Sequence, residues 1–242
     1  ACGPFAAQLH DLPLPPWEPT TIDLVRDAGT DVRSARDGVK PANQIDGLSI
    51  VSRNLGTEER VEIAGIPSVG LVVATMTAAA RLDGEQAVVI MDAAIGSGIA
   101  HEALKGAADR WISMKGMHEA VRRLVLARAG AESPLESISR LRLIKLGLPE
   151  PVLQHEFRDA QGFVGRVDMW WPDWNVVGEA DGLGKYDDIS VLRREKVRED
   201  RLRAMGLTVV RWTWDDIWRA PGDVAARIRF ARSLSSSRRN AG

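Results

Sequence analysis

The stretch Phe163-Val164-Gly165-Arg166-Val167-Asp168-Met169-Trp170-Trp171-Pro172-Asp173-Trp174-Asn175-Val176-Val177-Gly178-Glu179-Ala180-Asp181 decides the fold. Phe163 to Trp171 is rich in β-branched and aromatic residues and reads as a strand. Pro172 to Asn175 supplies the Pro, Asp and Asn of a tight turn. Val176 to Asp181 then reads as another strand. Upstream, Val152 to Phe157 alternates, and Asp159-Ala160-Gln161-Gly162 is a second turn signal. Three strands so closely spaced form an antiparallel meander.

The flanks complete the element order. Ser133 is a good N-cap, Pro134 fits the first helical turn, and Glu136 takes the third position of a capping box. That helix runs to about Leu146 and stops at Gly147. Beyond the meander, a Gly182-Leu183-Gly184 loop leads to a charged helix from about Val191 to Met205, ended by Gly206. Leu207 to Thr213 reads as a buried strand. Short helices follow, and residues 235–242 read as a disordered tail. The order from 130 to 234 is α-β-β-β-α-β.

This order gives the acids a place. A spacing of two puts Glu179 and Asp181 on one face of their strand. A turn centred between residues 173 and 174 sets Asp168 opposite Glu179. Carboxylates that converge repel each other unless a cation sits between them or one is protonated. A hard divalent cation such as Mg²⁺ or Mn²⁺, held by carboxylate oxygens, resolves the conflict and can activate water and polarise a phosphate. In the alternative reading, one acid faces solvent at the strand edge and another caps a loop.

Residues 1–129 read as a small mixed α/β scaffold domain. Thr21 to Arg26, Leu48 to Val51 and Glu59 to Ile63 are strand candidates. Helical patterns cover about 71–82, 84–95, 100–110 and 115–129. No paired carboxylates, phosphate loop or His cluster occurs there, and His101 and His118 stand alone. The chain opens without Met, inside what reads as the end of a helix over residues 5–10, so an N-terminal piece is expected to be missing.

Composition narrows the class. The chain has 242 residues, 45% hydrophobic and 27% charged, with a net charge of −1, which excludes wholesale disorder and a uniformly basic protein. The uncharged run from Ile63 to Ala80 is broken by Gly65, Pro67 and Gly70 and is too polar for a membrane span. One cysteine, Cys2, excludes an intrachain disulfide and a Cys-based zinc site, and fits a reducing, cytoplasmic setting. Arg193, Arg194, Lys196, Arg198, Arg201 and Arg203 form a basic run against Glu195, Glu199 and Asp200. It reads either as a phosphate-gripping face or as a solvated helix laced with i,i+4 pairs. Trp170, Trp171, Trp174, Trp212, Trp214 and Trp218 read first as packing residues and second as platforms for unpaired bases.

The run from about Glu132 to Arg219 resembles the Vsr-like (very-short-patch repair) branch of the PD-(D/E)xK nuclease superfamily. The resemblance is carried by Ser133-Pro134-Leu135-Glu136, Gly147-Leu148-Pro149 with Gln154, Arg166-Val167-Asp168, Gly178-Glu179-Ala180-Asp181-Gly182 with Lys185-Tyr186, Glu195-Lys196-x-Arg198-Glu199-Asp200 and Val210-Arg211-Trp212. It implies a restriction-endonuclease-like core and a Mg²⁺-dependent (or Mn²⁺-dependent) endonuclease acting on DNA. Asp168 and Glu179 would hold the metal, with Asp181 or Glu136 in support. The superfamily's lysine would fall at residue 181, where this chain has Asp181, so Lys185 is the expected catalytic substitute and Lys196 the next. Gln154 would orient water or substrate. Arg194, Lys196, Arg198 and Arg201 would grip the nucleic-acid backbone. Phe5-Ala6-Ala7-Gln8-Leu9-His10-Asp11-Leu12-Pro13 resembles a stretch of AbiEi-type antitoxin proteins, which implies a toxin partner or a homo-oligomer. Asp181 in the lysine's place also admits a different function, a catalytically inactive nuclease-fold DNA-binding regulator.

Overall fold

The computed structural model describes residues 1–14, 21–27, 47–181 and 189–240. They form an α+β protein of two compact units, Ala1–Ala129 and Gly130–Gly242.

In the first unit, α1 (Gly3–Leu9) packs on α2 (Leu71–Ala79), and β1 (Ile22–Asp27) pairs in parallel with β2 (Leu48–Arg53). A separate hairpin joins β3 (Arg60–Ile63) to β4 (Ile66–Val69). Its two turn residues, Ala64 and Gly65, both have positive φ, the geometry that matches the twist of paired strands. Helices α3 (Gly84–Gly96), α4 (His101–Arg110) and α5 (Met117–Leu124) surround α2. Seven of the nine α2 residues are buried, so the Ala, Val and Met run is the centre of the unit. Its buried threonines keep their hydroxyls satisfied: Thr75 donates to Leu71 O and Thr77 to Val73 O. Asp23 of β1 is buried and held by Arg81, with Nη2 to Oδ1 at 2.7 Å. His101 bonds the Ala127 carbonyl, and His118 is exposed.

The second unit has α6 (Pro134–Lys145), β5 (Val152–Asp159), β6 (Gly162–Trp171), β7 (Val176–Ala180), α7 (Ile189–Ala204), β8 (Thr208–Trp212), α8 (Trp214–Arg219) and α9 (Pro221–Asn240). Its first six elements follow the order α-β-β-β-α-β. The sheet order is β5-β6-β7-β8. β5, β6 and β7 pair antiparallel, and β8 joins β7 in parallel after the α7 crossover. Ser133 caps α6 by accepting the Glu136 N–H, and Gly147 ends it at positive φ.

Each face of this sheet buries its own core. One face packs Leu135, Leu143, Met169, Trp171, Val210 and Trp212 under α6, α8 and α9. The other packs Phe157, Val164, Val167, Val177, Leu202 and Leu207 under α7. The close of the chain differs from the sequence expectation: α9 is one long helix that continues through residues 235–240, where a disordered tail is expected. Ser and Arg are only mildly unfavourable inside a helix. Ser235 is buried and bonds both Ala231 O and Thr208 Oγ1, each at 3.1 Å, which anchors the helix against β8.

Candidate active site

The β6–β7 hairpin pairs Met169 with Gly178, Trp170 with Val177 and Trp171 with Val176. Asn175 closes the turn in the left-handed region at φ 49°, a conformation Asn tolerates. One step further along the same register stand Asp168 and Glu179. Asp168 Oδ2 accepts the Ala180 N–H at 2.8 Å, which ties the acid of β6 to the end of β7.

Across β6 on its other side, the ladder skips a step. Leu153 pairs with Met169 and His155 with Val167, but Gln154 and Asp168 between them do not pair. Gln154 is in the left-handed region at φ 51°, an uncommon state for a non-glycine residue. The side-chain phase changes at this step. Val167 belongs to the core under α7, and Met169 to the core under α6, α8 and α9. The break releases both side chains from the regular pleat and turns them toward Glu136. Gln154 Nε2 donates to Glu136 Oε2 at 2.8 Å and its side chain also hydrogen-bonds Asp168. Glu136 is buried in the first turn of α6. It accepts the Ser133 hydroxyl at 2.8 Å and the Glu132 N–H at 2.9 Å.

The Asp168 carboxyl is pushed up from its ordinary 3.8 to about 6, chiefly by burial. The charges of Glu136 and Glu179 contribute to that rise, while the hydrogen bonds from Ala180 and Gln154 act in the opposite sense. Three of the expected acids therefore act on one another. Glu179, however, is neutralised from another direction. It is buried, Arg198 of α7 donates to its Oε1, and Arg211 donates to its Oε2 at 2.8 Å. Arg211 lies beside Glu179 in the register of β7 and β8.

Among the described residues no group of three or more His, Cys, Asp or Glu side chains is placed to hold a metal ion. Of the expected ligands Asp168, Glu179 and Asp181, Glu179 has both oxygens engaged by guanidiniums. Asp181 lies just past β7, and its N–H donates to Trp212 O at 2.8 Å. Lys185 falls outside the described residues.

The basic helix divides into two sets. Arg193, Arg194 and Lys196 are exposed on α7. Arg198 and Arg201, expected to grip nucleic acid, are turned onto the sheet. Arg201 closes on Asp159 with two hydrogen bonds, Nε to Oδ2 at 2.8 Å and Nη2 to Oδ1 at 2.6 Å. The reason is the docking of α7: residues three apart lie on one helix face, and this face meets β6 and the β5–β6 turn. The strand reading gives no role to Arg211, which the structure bonds to Glu179 and Glu195. Its signal is the lone charge in β8, Thr208–Trp212, among Val209, Val210 and Trp212. The tryptophans pack as expected: Trp171 and Trp212 are buried, Trp170 stacks on His155 at 4.1 Å, and only Trp214 and Trp218 are substantially exposed among those described in this unit.

No protein-family model matches the chain, and no solved structure matches it significantly. Two uncharacterized proteins of Mycobacterium tuberculosis, one from strain CDC 1551 and one from strain H37Rv, are each 34% identical to it over 161 residues. The alignment takes in 66% of this chain and 59% of each relative, so the chain spans about three fifths of the length of the curated relatives it matches. Among the described residues no helix is long and apolar enough to cross a membrane.

Proposed function

We propose that residues 130–234 are a Vsr-like endonuclease domain of the PD-(D/E)xK type that hydrolyses DNA phosphodiester bonds with the help of Mg²⁺ or Mn²⁺. The observation that supports this most directly is the joined set Glu136–Gln154–Asp168, built where the β5–β6 ladder skips a step and one register step from Glu179. A regular β-ladder has no use for such a break. Two acids so close at that depth cost stability even when hydrogen-bonded, and such a cost is often the mark of a functional site.

The donors fit a hard cation in one respect. Asp168 is mostly buried among acids, and among the described residues no cationic side chain is bonded to it. Asp168, with Glu179 released from its arginines, would hold the ion. When bound, such an ion supplies charge for the phosphate and a more acidic water. Gln154 fixes the carboxyl planes of Glu136 and Asp168. In the reaction, the oxygen of water forms the new P–O bond, one ester P–O bond breaks, and the proton of water ends on the departing alcohol. The exposed Arg193, Arg194 and Lys196 hold the DNA backbone without reading sequence.

A supercoiled-plasmid nicking assay with Mg²⁺, Mn²⁺ or EDTA tests the reading. Nicking in either metal, absent in EDTA and in Asp168→Ala, is expected. A second reading, an inactive nuclease-fold DNA-binding regulator, is favoured by Asp181 and by the two guanidiniums on Glu179. It is the one left standing if DNA binds in a gel shift but no metal supports nicking. The DNA-binding face has its own test. Changing Arg193, Arg194 and Lys196 together to Ala should reduce the slope of log K on log salt by ~0.9 for each phosphate the protein no longer neutralises. An unchanged slope would make this face a solvated one.

A further inference from the structure

Two arginines converge on Glu179 from different elements, and each is held by a second carboxylate. Arg198 reaches across β6 from α7 over Gly165, where a Cβ would stand 2.8 Å from Arg198 Cδ. The residue opposite the helix has been reduced to a hydrogen, and the side chain passes through that gap. Its Nε donates to Glu195 Oε2 at 3.0 Å and its Nη2 to Glu195 Oε1 at 2.7 Å, alongside the bond to Glu179. Arg211 donates through Nη2 to Glu195 and approaches Glu199 at 3.4 Å. Hydrogen bonding from Arg198 holds the Glu195 carboxyl below its usual range. Both guanidiniums would therefore keep their positions if Glu179 turned away, because Glu195 and Glu199 anchor them.

We propose that Arg198 and Arg211 are catalytic residues of the phosphodiester hydrolysis, their guanidiniums binding and neutralising the non-bridging oxygens of the scissile phosphate once Glu179 turns to the metal. This rests on the endonuclease reading above. The chemistry demands such groups. Asp168, Glu179, Glu195 and Glu199 would otherwise meet a phosphate with like charge, and charge grows on its oxygens as the new bond forms. Guanidinium is always charged and its fork matches two phosphate oxygens. Fixed in a half-buried site, it acts on the transition state with little reorganisation. The two residues thus supply the positive charge that position 181 does not.

Single-turnover nicking with Mg²⁺ tests this, with duplex binding measured separately in Ca²⁺. Arg198→Gln and Arg211→Gln should each lose ~10²-fold in rate, the order found for one preorganised electrostatic contact, while duplex affinity stays within about threefold of wild type. Arg211→Lys should recover part of the loss. Because these variants also remove salt bridges, Gly165→Ala gives an independent arm. It keeps every charge but displaces Arg198, and should slow nicking at least tenfold, an order-of-magnitude expectation for a misplaced group, with a near-normal melting temperature. Wild-type or faster nicking by both Gln variants would overturn the proposal; the faster outcome would mean that the arginines merely keep Glu179 from the metal. A loss that follows the melting temperature, and that Arg211→Lys does not relieve, would reduce the pair to structural staples and also overturn it. A wild-type protein that nicks with neither metal fails the endonuclease reading itself, which the wild-type lane reveals before any variant is compared.

Discussion

Asp168→Asn should yield a protein that is more stable at pH 8 than the wild type and unable to nick DNA. The stability gain follows from proton linkage. The folded state holds the Asp168 proton up to about pH 6, whereas the unfolded chain releases it near the ordinary 3.8. A folded pKa above the unfolded one costs stability as pH rises between those values. The cost is absent below the unfolded pKa and complete above the folded one. Two pKa units correspond to about 3 kcal/mol, and partial exposure of the group lowers the expected figure to about 2 kcal/mol. The carboxamide oxygen of Asn can still accept the Ala180 N–H, so the tie between β6 and β7 survives. Urea melts should show the variant ahead by about 2 kcal/mol at pH 8 and level with wild type near pH 4. Divalent metal adds a second contrast. Mg²⁺ binding to the folded state should raise the wild-type melting temperature at pH 8 by mass action and leave the variant unmoved. A variant less stable than wild type at pH 8 would mean that the ionised Asp168 is favoured by its surroundings, and the acid cluster would lose its meaning.

The site was legible in the sequence to the extent that it depends on local register. Pro172-Asp173-Trp174-Asn175 marks the turn, its centre fixes which residues face each other, and Asp168 and Glu179 then fall together, one step past the pairing that ends at Met169 and Gly178. Ser133, Gly147 and Gly206 set the helix ends for equally local reasons: a side-chain cap, and positive φ at both glycines. Tertiary choices were not legible in this way. The phase change at Gln154 needs α6 above the sheet, because the Gln154 amide bonds Glu136 only across that gap. Nothing in Leu153-Gln154-His155 announces a left-handed residue.

The basic helix shows the same limit from another side. Arg194 and Arg198 belong to one charged run and are the same residue type, so composition cannot rank them. Their roles separate because the face bearing Arg198 and Arg201 docks on β6, where Gly165 leaves a passage and Asp159 offers a carboxylate. The pair of signals that carries this information is a glycine in a strand and acids spaced along the partner elements. It becomes readable only once the α7 crossover is placed over the β6–β7 pair. The same placement turns Glu179 from one of several expected metal-binding acids into the centre of a two-arginine clamp.

The largest structural effect of a single methyl group near the site is expected at Gly178. A Cβ there would lie 2.5 Å from Trp212 Cη2, 2.9 Å from Trp212 Cζ3 and 3.0 Å from Trp171 Cζ3. Neither ring can step aside. Trp212 Nε1 donates to Ser139 Oγ at 2.8 Å, Trp171 Nε1 donates to Pro149 O at 2.8 Å, and both indoles are almost wholly buried. Moving either ring breaks a buried hydrogen bond or opens a void, so β7 itself must shift, carrying the adjacent Glu179 with it. Overpacking of a tight core costs about 1–3 kcal/mol, and the pinned rings place Gly178→Ala at the upper end, about 3 kcal/mol. For a unit of roughly 110 residues that is a fall in melting temperature of more than 10 °C, an order-of-magnitude figure. Trp212→Phe removes the ring atoms that clash, at the expense of its own cavity. Gly178→Ala with Trp212→Phe should therefore be less destabilised than the sum of the singles by at least about 1 kcal/mol. Strict additivity would show that the methyl group is accommodated elsewhere. Gly165→Ala makes the opposing case in the same sheet: its obstacle is the aliphatic part of one arginine, so its stability should barely change while Arg198 is pushed off Glu179. If the two alanines destabilise the fold equally, rigid indole packing at Gly178 is not what holds Glu179 in place.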